Sequence, residues 1–217
     1  MMALFLSAFV TFFVVIDPPG CAPIFASLTR DGSAAWRRAM AIRSVLIAAS
    51  ILMVFAFVGE PLLHALGIGL DAFRIAGGIM LFLIALEMVF EKRTHRREER
   101  AEEINRRHAE EHRVEPEDIS VFPMAIPMIA GPGSIATVML MTAHNDGSNL
   151  IVVMAAMLAV LLLSLAALLA AGAIMRVLGD KLEAMITRVL GVLLAALAAQ
   201  FVIDGVKASF SLAGATA

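Results

Sequence analysis

Long apolar runs, separated by short polar or charged stretches, make up most of this chain. No charged residue occurs between Asp118 and His144, nor between Asp146 and Arg176, and each interval exceeds the roughly 20 residues that a helix needs to cross a bilayer. Four further runs are also long enough to span. The pattern predicts six transmembrane helices, near residues 3–28, 40–58, 62–90, 120–143, 149–174 and 184–206.

Composition agrees with a membrane protein. Of the 217 residues, 60% are hydrophobic and only 17% are charged, which is more apolar surface than a soluble domain of this size can bury. A net charge of −2 gives no indication of a nucleic-acid partner. The predicted spans contain no mid-depth His and no nucleophile paired with a base. We therefore predict no metal site, no cofactor and no enzymatic activity.

The Lys and Arg residues indicate how the chain is oriented. They follow the first, third and fifth predicted spans, whereas the connections at 59–61 and 144–148 contain none. The positive-inside rule then predicts that residues 91–118 form a cytoplasmic loop and that both termini are periplasmic. Within this loop Glu102 and Arg106 are four residues apart, a spacing typical of an exposed helix.

Short motifs recur at a nearly constant offset along the chain. Pro18-Pro19-Gly20 matches Gly131-Pro132-Gly133 after 113 positions, and Gly59 matches Gly172 at the same offset. This predicts two three-span repeats, 1–90 and 119–217, joined by the charged loop. Because three is odd, the second repeat would enter the membrane from the opposite face, as in many secondary transporters.

Both matching motifs fall inside predicted spans. Proline removes an amide donor, glycine tolerates non-helical backbone angles, and such a break is allowed in a membrane only where it is buried in protein or lines a wet cavity. We predict that the first and fourth spans are broken helices or re-entrant hairpins. Each would leave the start of a half-helix, near Ala22 and Ser134, within the membrane.

Asp17 is the most informative residue, since a carboxylate at mid-span costs at least about 2.5–3.5 kcal/mol. It can contact a substrate, ion or proton, or cap the following half-helix, and these roles are compatible. The half-helix starts suit a carboxylate, while Asp17 or exposed carbonyls suit an ammonium group or a coupling H⁺ or Na⁺. The hydroxyls in this region could instead bond their own backbone. The substrate-binding candidates are Asp17, Pro18, Pro19, Gly20, Gly131, Pro132, Gly133, Ser134 and Thr137.

A second group of polar residues lies nearer the ends of the spans. Arg43 either extends its side chain to the interface or forms a gate or structural ion pair. The others are expected at interfaces or in pairs across the bundle. The gating or ion-pair candidates are Arg43, Asp71, Arg74, Arg188 and Gln200.

Taken together, these motifs resemble the MarC family of bacterial inner-membrane proteins, also called UPF0056. The resemblance is carried by Asp17-Pro-Pro-Gly20, Pro23-Ile-Phe25, Arg43, Gly59-Glu60, Ala76-Gly-Gly-Ile79, Phe122-Pro-Met-Ala-Ile-Pro127, Ala130-Gly-Pro132 and Gln200 through Asp204-Gly205. It implies six spans in the bacterial cytoplasmic membrane. A related branch transports small neutral amino acids. Two departures are Pro19, where the family usually has a bulky apolar residue, and the longer charged loop.

The leading hypothesis is a secondary transporter of glycine, alanine and serine. Export of another small metabolite or drug is an alternative, because nothing in the sequence fixes the substrate. A non-transporting membrane scaffold is a third hypothesis and would account for the charged loop, though not for two costly breaks. Small helical bundles of this kind also allow a homo-oligomer in the lipid bilayer.

Overall fold

The computed structural model describes residues 1–30, 32–90, 118–143 and 145–215, with the backbone alone for 174–184 and 211–215. These residues form seven α-helices and one irregular helical segment, with no strand among them. The predicted helical loop lies outside the described residues except for Asp118. The helices are α1 (Met2–Ile16), α2 (Pro18–Leu28), α3 (Ala34–Ala65), α4 (Leu70–Val89), α5 (Pro132–Ala143), α6 (Ser148–Leu169) and α7 (Ala171–Ala215); the irregular segment, called the proline segment below, is Ser120–Ile129.

Five stretches are long and apolar enough to cross a membrane, and a sixth is obtained if the proline segment and α5 count as one span bent by 55°. The five are Met2–Leu28, Ala34–Ala65, Leu70–Val89, Ser148–Leu169 and Met185–Phe210. They coincide with predicted spans, which confirms an all-helical protein with several membrane-spanning helices.

The predicted connection at residues 59–61 is wrong, because α3 continues through Pro61 to Ala65. Pro61 removes the donor for the carbonyl of Phe57, but both residues are exposed near the end of the helix, where this loss is tolerated. The turn that ends α3 lies instead just after Ala65, at Gly67, which has a φ of 69°. The amide of Gly67 bonds the His64 carbonyl and that of Ile68 bonds the Leu63 carbonyl, the pairing of a Schellman motif.

The boundaries of the neighbouring spans shift accordingly. The third span begins at Leu70 rather than near residue 62, since residues 62–65 belong to α3. Near the C-terminus, α6 ends at Leu169 and the chain turns at Ala170 directly into α7, although a connection of several residues was predicted around 175–183.

Close backbone contact holds α4 against α7. A methyl group added at Gly78 would lie 2.9 Å from the Ala198 carbonyl oxygen, and one at Gly205 would lie 3.0 Å from the Asp71 carbonyl oxygen. Small residues at these points let the two backbones approach, which is how helices commonly associate in a bilayer.

α5 is the most enclosed helix. Its residues from Ala136 to Leu140 are all buried, so it contacts protein on every side. The outer helices have one buried face and one apolar exposed face, with side chains such as Leu46, Ile151 and Leu162 at least 60% exposed. An apolar surface of this extent suits lipid chains. The interior of the bundle is therefore built around α5 and the α1–α2 junction.

Candidate functional site

The first break is a single residue. Asp17 has left-handed backbone angles (φ 58°, ψ 63°), ends α1 and begins α2. Its side chain is fully buried, and Oδ1 accepts the Gly20 amide at 3.1 Å. Asp tolerates this conformation better than most residues, because its short polar side chain bonds locally. Asp17 therefore caps the start of α2, which is one of the roles predicted for it.

The second half-helix starts at Pro18 rather than near Ala22, so the unwound middle that we expected is absent. Pro18 and Pro19 occupy the first two helical positions, where proline has the required φ and its missing N–H removes no helical bond within α2. The first turn of α2 has no free amide: the two prolines have none, Gly20 donates to Asp17, and Cys21 donates to the Asp17 carbonyl at 3.1 Å. Contrary to expectation, this end does not suit a carboxylate.

The prolines do free acceptors on α1. The carbonyls of Val14 and Val15 would bond the amides of residues 18 and 19 in a continuous helix, and proline cannot supply them. Both residues are at most 3% exposed. Together with the Asp17 carboxylate, these oxygens give the first break a negative character that suits a cationic group.

The second break is longer and less regular. Phe122 and Ile126 have extended backbone angles inside the proline segment, as expected for residues that precede Pro123 and Pro127. The Ala130 amide bonds the Ala125 carbonyl, five residues back, at 2.9 Å. The chain then bends by 55° into α5.

Unlike the start of α2, the start of α5 has backbone amides without an acceptor in the described chain. Ile135 is the first residue of α5 whose amide bonds a carbonyl within the described chain, that of Gly131 at 3.0 Å. The preceding amides of Gly133 and Ser134 lie at the helix end, where no intrahelical acceptor exists. Gly131 itself lies so close to the Pro127 carbonyl that a side chain would overlap it. This break has a positive character.

The two breaks come together in the bundle. A methyl group on Gly133 would lie 3.5 Å from Cγ1 of Val15, two residues before Asp17, and 2.9 Å from Cδ1 of Ile84. The first turn of α5 thus packs beside the end of α1. The end of α1 and the start of α5 are therefore neighbours. Of the nine predicted substrate-binding candidates, Pro132 is exposed and Pro19 is half-buried, and the other seven are buried.

Thr137 is unusual among the helical hydroxyl groups. The expected bond to the carbonyl four residues back is made by Thr11, Thr29, Ser44, Ser50, Thr142, Ser164 and Ser209. Thr137 is fully buried, yet its Oγ1 has no partner within the described chain. It follows Gly133 by four residues, and side chains lean toward the helix start, so Thr137 lies over the first turn of α5. Ser134 is also buried in that turn.

A second such hydroxyl, Thr187 on α7, was not identified from the sequence. It is 3% exposed, and Oγ1 again has no partner in the described part of the chain. No feature of the sequence distinguishes it from the hydroxyls that bond their own backbone.

Arg43 forms an ion pair, one of its two predicted roles. Its guanidinium lies 3.2 Å from Oδ2 of Asp118, and the two side chains are 60% and 51% exposed. The hydroxyl and amide of Ser120, and to a smaller extent Arg43, hold the pKa of Asp118 below its usual value of 3.8. Asp118 was not among the sequence candidates, because 75 residues separate it from Arg43. The pair connects α3 to the start of the proline segment.

The remaining gating candidates lie away from the breaks. Asp71 and Arg74 are half-buried in the first turns of α4, and Arg188 is exposed on α7. Gln200 donates to Asp204 at 2.8 Å on its own helix, rather than pairing across the bundle.

These features define an all-helical integral membrane protein with two helix interruptions, one acidic and one rich in amide donors, in its interior. The family model described as "MarC family integral membrane protein" matches residues 2–210, and the chain belongs to this family.

Similar proteins occur in archaea and bacteria. A UPF0056 membrane protein of Methanocaldococcus jannaschii is 36% identical over 209 residues, covering 94% of this chain and 96% of the relative. The UPF0056 membrane protein YvbG of Bacillus subtilis is 34% identical, with 97% of both chains covered. YhcE of Escherichia coli is 34% identical, covering 93% of this chain and 91% of the relative. No solved structure matches the chain.

Proposed function

We propose that this protein is a secondary transporter of small neutral amino acids, such as glycine, alanine and serine, and that the substrate binds between the two breaks. One observation carries the proposal: a fully buried carboxylate, Asp17, lies in the same buried region as the open amide end of α5. A zwitterion has the complementary pair of charges at a short separation.

The unequal chemistry of the breaks orients the substrate. Its ammonium group would face Asp17 and the freed carbonyls of Val14 and Val15, where acceptors outnumber donors. Its carboxylate would face the amides of Gly133 and Ser134, since a helix start favours anions. The hydroxyl of Thr137, which has no partner among the described residues, would gain one. A buried hydroxyl without a partner is costly, and a ligand that satisfies it recovers that cost.

Tight packing around the second break favours a small substrate. Side chains of Ile84 and Leu81 lie 2.9 and 3.1 Å from the position of a methyl group on Gly133. This leaves little room for a large side chain beside the first turn of α5, and fits glycine, alanine or serine better than a drug-sized molecule.

Transport would use the repeat relation between the two halves. The shared offset of the motifs supports two inverted three-span repeats, in which broken helices meet at the midplane and the halves rock around the site. An H⁺ or Na⁺ gradient would supply the energy. The proposed location is the bacterial inner membrane with both termini periplasmic, as the positive charges predict.

Other functions make different demands on the same residues. An exporter of another metabolite or drug would use the same region between the breaks, and uptake assays with a broader substrate panel would distinguish it. A buried carboxylate and open amides are both costly in a membrane. A membrane scaffold would have no use for this pair of groups that offsets the cost.

The test is uptake of labelled glycine, alanine and serine into proteoliposomes, with and without H⁺ or Na⁺ gradients. Asp17→Asn is the decisive variant, because asparagine caps a helix about as well as aspartate and removes only the charge. Asp204→Asn removes a half-buried carboxylate on α7, where it accepts from Gln200 of its own helix, and is the matched control. We expect uptake by the wild type and the control, and none by Asp17→Asn at an unchanged melting temperature. Full uptake by Asp17→Asn would rule out the proposed site.

A further inference from the structure

A separate cavity of about 500 Å³ lies where α2 and α6 end and α3 and α7 begin. Its inner wall includes the buried side chains of Phe25 and Leu168. Its rim carries three arginines, Arg30, Arg37 and Arg38, all exposed. The cavity is on the side that the positive-inside rule predicts to be cytoplasmic.

The arginines have no acidic partner among the described residues. The ion pair between Arg43 and Asp118 lies elsewhere, and neither residue lines the cavity. Asp31, next to Arg30, and the charged loop at residues 91–117 lie outside the described residues. The cavity therefore combines a cationic rim with an apolar wall.

The helix ends at the cavity largely offset one another, because α2 and α6 end there with their negative poles and α3 and α7 begin there with their positive poles, so the arginines supply the net charge. α3 and α7 both begin at the cavity, and neither has an acidic residue in its first turn. Arg37 and Arg38 are the fourth and fifth residues of α3, close to its positive end, where a cation is unfavourable and an anion is stabilised. An anion in the cavity would offset the positive charge of the arginines and of the α3 start beside Arg37 and Arg38.

We propose that this cavity binds the phosphate group of an anionic phospholipid. The arginines would hold the phosphate, and the lipid chains would run past Leu168 and Leu169 into the bilayer. Leu169 is 50% exposed at the cavity edge, so an apolar path leads outward from the charged rim. This path favours a lipid headgroup over free phosphate, and basic pockets between helix ends are a known arrangement for anionic headgroups.

The experiment compares binding of phosphatidylglycerol and phosphatidylcholine with identical acyl chains to the purified full chain, by native mass spectrometry in a neutral detergent. The two lipids differ in headgroup charge and not in their apolar parts. The test variant is Arg37→Gln/Arg38→Gln. The control, Arg43→Gln/Lys207→Gln, removes the same charge from positions outside the cavity.

We expect the wild type and the control to bind phosphatidylglycerol in preference to phosphatidylcholine. The test variant should lose roughly 30-fold in affinity for phosphatidylglycerol, as the loss of two interfacial cations implies, with no change for phosphatidylcholine. Without lipid, the melting temperature of the test variant should be unchanged or higher, because the substitutions remove two positive charges from the positive end of α3. That readout separates lost binding from lost folding.

Three results would overturn the proposal. The wild type could bind the two lipids equally, or the test variant could keep its preference for phosphatidylglycerol. Alternatively, inorganic phosphate could displace phosphatidylglycerol at equal concentration, which would make the cavity a site for free phosphate rather than for lipid.

Discussion

The two helix breaks begin from similar motifs and end with opposite chemistry. At the first break, one left-handed residue joins two helices, and its own carboxylate takes the only amide that the prolines leave available. At the second, a ten-residue irregular segment leads through a 55° bend into a helix whose first amides stay open. Matching proline and glycine motifs thus fix where a helix breaks. The residue before the motif, Asp17 or Ala130, determines which charge the break accepts.

Of the substitutions that test this difference between the breaks, Gly20→Ala is expected to have the largest effect on uptake and stability. A methyl group at this position would overlap Oδ2 of Asp17 and lie 2.8 Å from its Cγ, so the carboxylate must move and the cap is lost. We expect uptake to be abolished and stability to fall by about 1 kcal/mol, the usual cost of losing a helix cap. Uptake assays and thermal unfolding in detergent measure the two effects.

The matched control is Gly77→Ala on α4. Here an added methyl group meets Leu140 and Ala136 at 3.3 and 3.4 Å, contacts that a small shift relieves. Equal loss of uptake in both variants would show that the bundle tolerates no methyl group, and that the Asp17 carboxylate is not the cause.

A smaller effect, of opposite sign for stability and transport, is expected from Thr137→Val. This isosteric change removes a buried hydroxyl without a partner, whose burial costs about 1–3 kcal/mol, so the melting temperature should rise or stay constant. Uptake should fall, since the second break loses a donor to the substrate. Thr142→Val, whose hydroxyl bonds the Val138 carbonyl, is the control and should keep full uptake. Normal uptake by Thr137→Val would remove this residue from the site.

The smallest effect is expected at the ion pair outside the breaks. Both partners are more than half exposed, so Arg43→Gln should cost at most about 1 kcal/mol. Because the pKa of Asp118 is lowered on folding, its contribution to stability is present above the unfolded pKa and is lost as the pH falls through the folded pKa. Thermal unfolding of wild type and Asp118→Asn across the acidic range measures this. A stability difference that persists below the folded pKa would contradict it.

The sequence predicts an all-helical protein with several membrane-spanning helices, because apolar length is a local property, although the connections predicted at 59–61 and 175–183 are wrong. Proline chemistry is also local, and α1 ends and α5 begins beside the two motifs. The sequence does not predict features that depend on contacts in the folded chain. Pro61 looked like a connection, yet the turn at Gly67 ends α3. The start of α2 looked like an anion site, yet capping by Asp17 removes its last amide. Thr137 and Thr187 match the other hydroxyls in sequence, and only packing shows that they lack partners in the described part of the chain. The Arg43–Asp118 ion pair could not be predicted either, because only folding brings the two residues together.

The central claim is that Asp17 binds an ammonium group while the start of α5 binds a carboxylate. The most direct test is equilibrium binding of alanine and of propionate, which lacks the amine, to the wild type and to Asp17→Asn. We predict that the wild type prefers alanine at least about 100-fold, as expected for a buried charge pair, and that Asp17→Asn binds the two nearly equally. An undiminished preference for alanine in Asp17→Asn would show that the ammonium group binds elsewhere and would contradict the account.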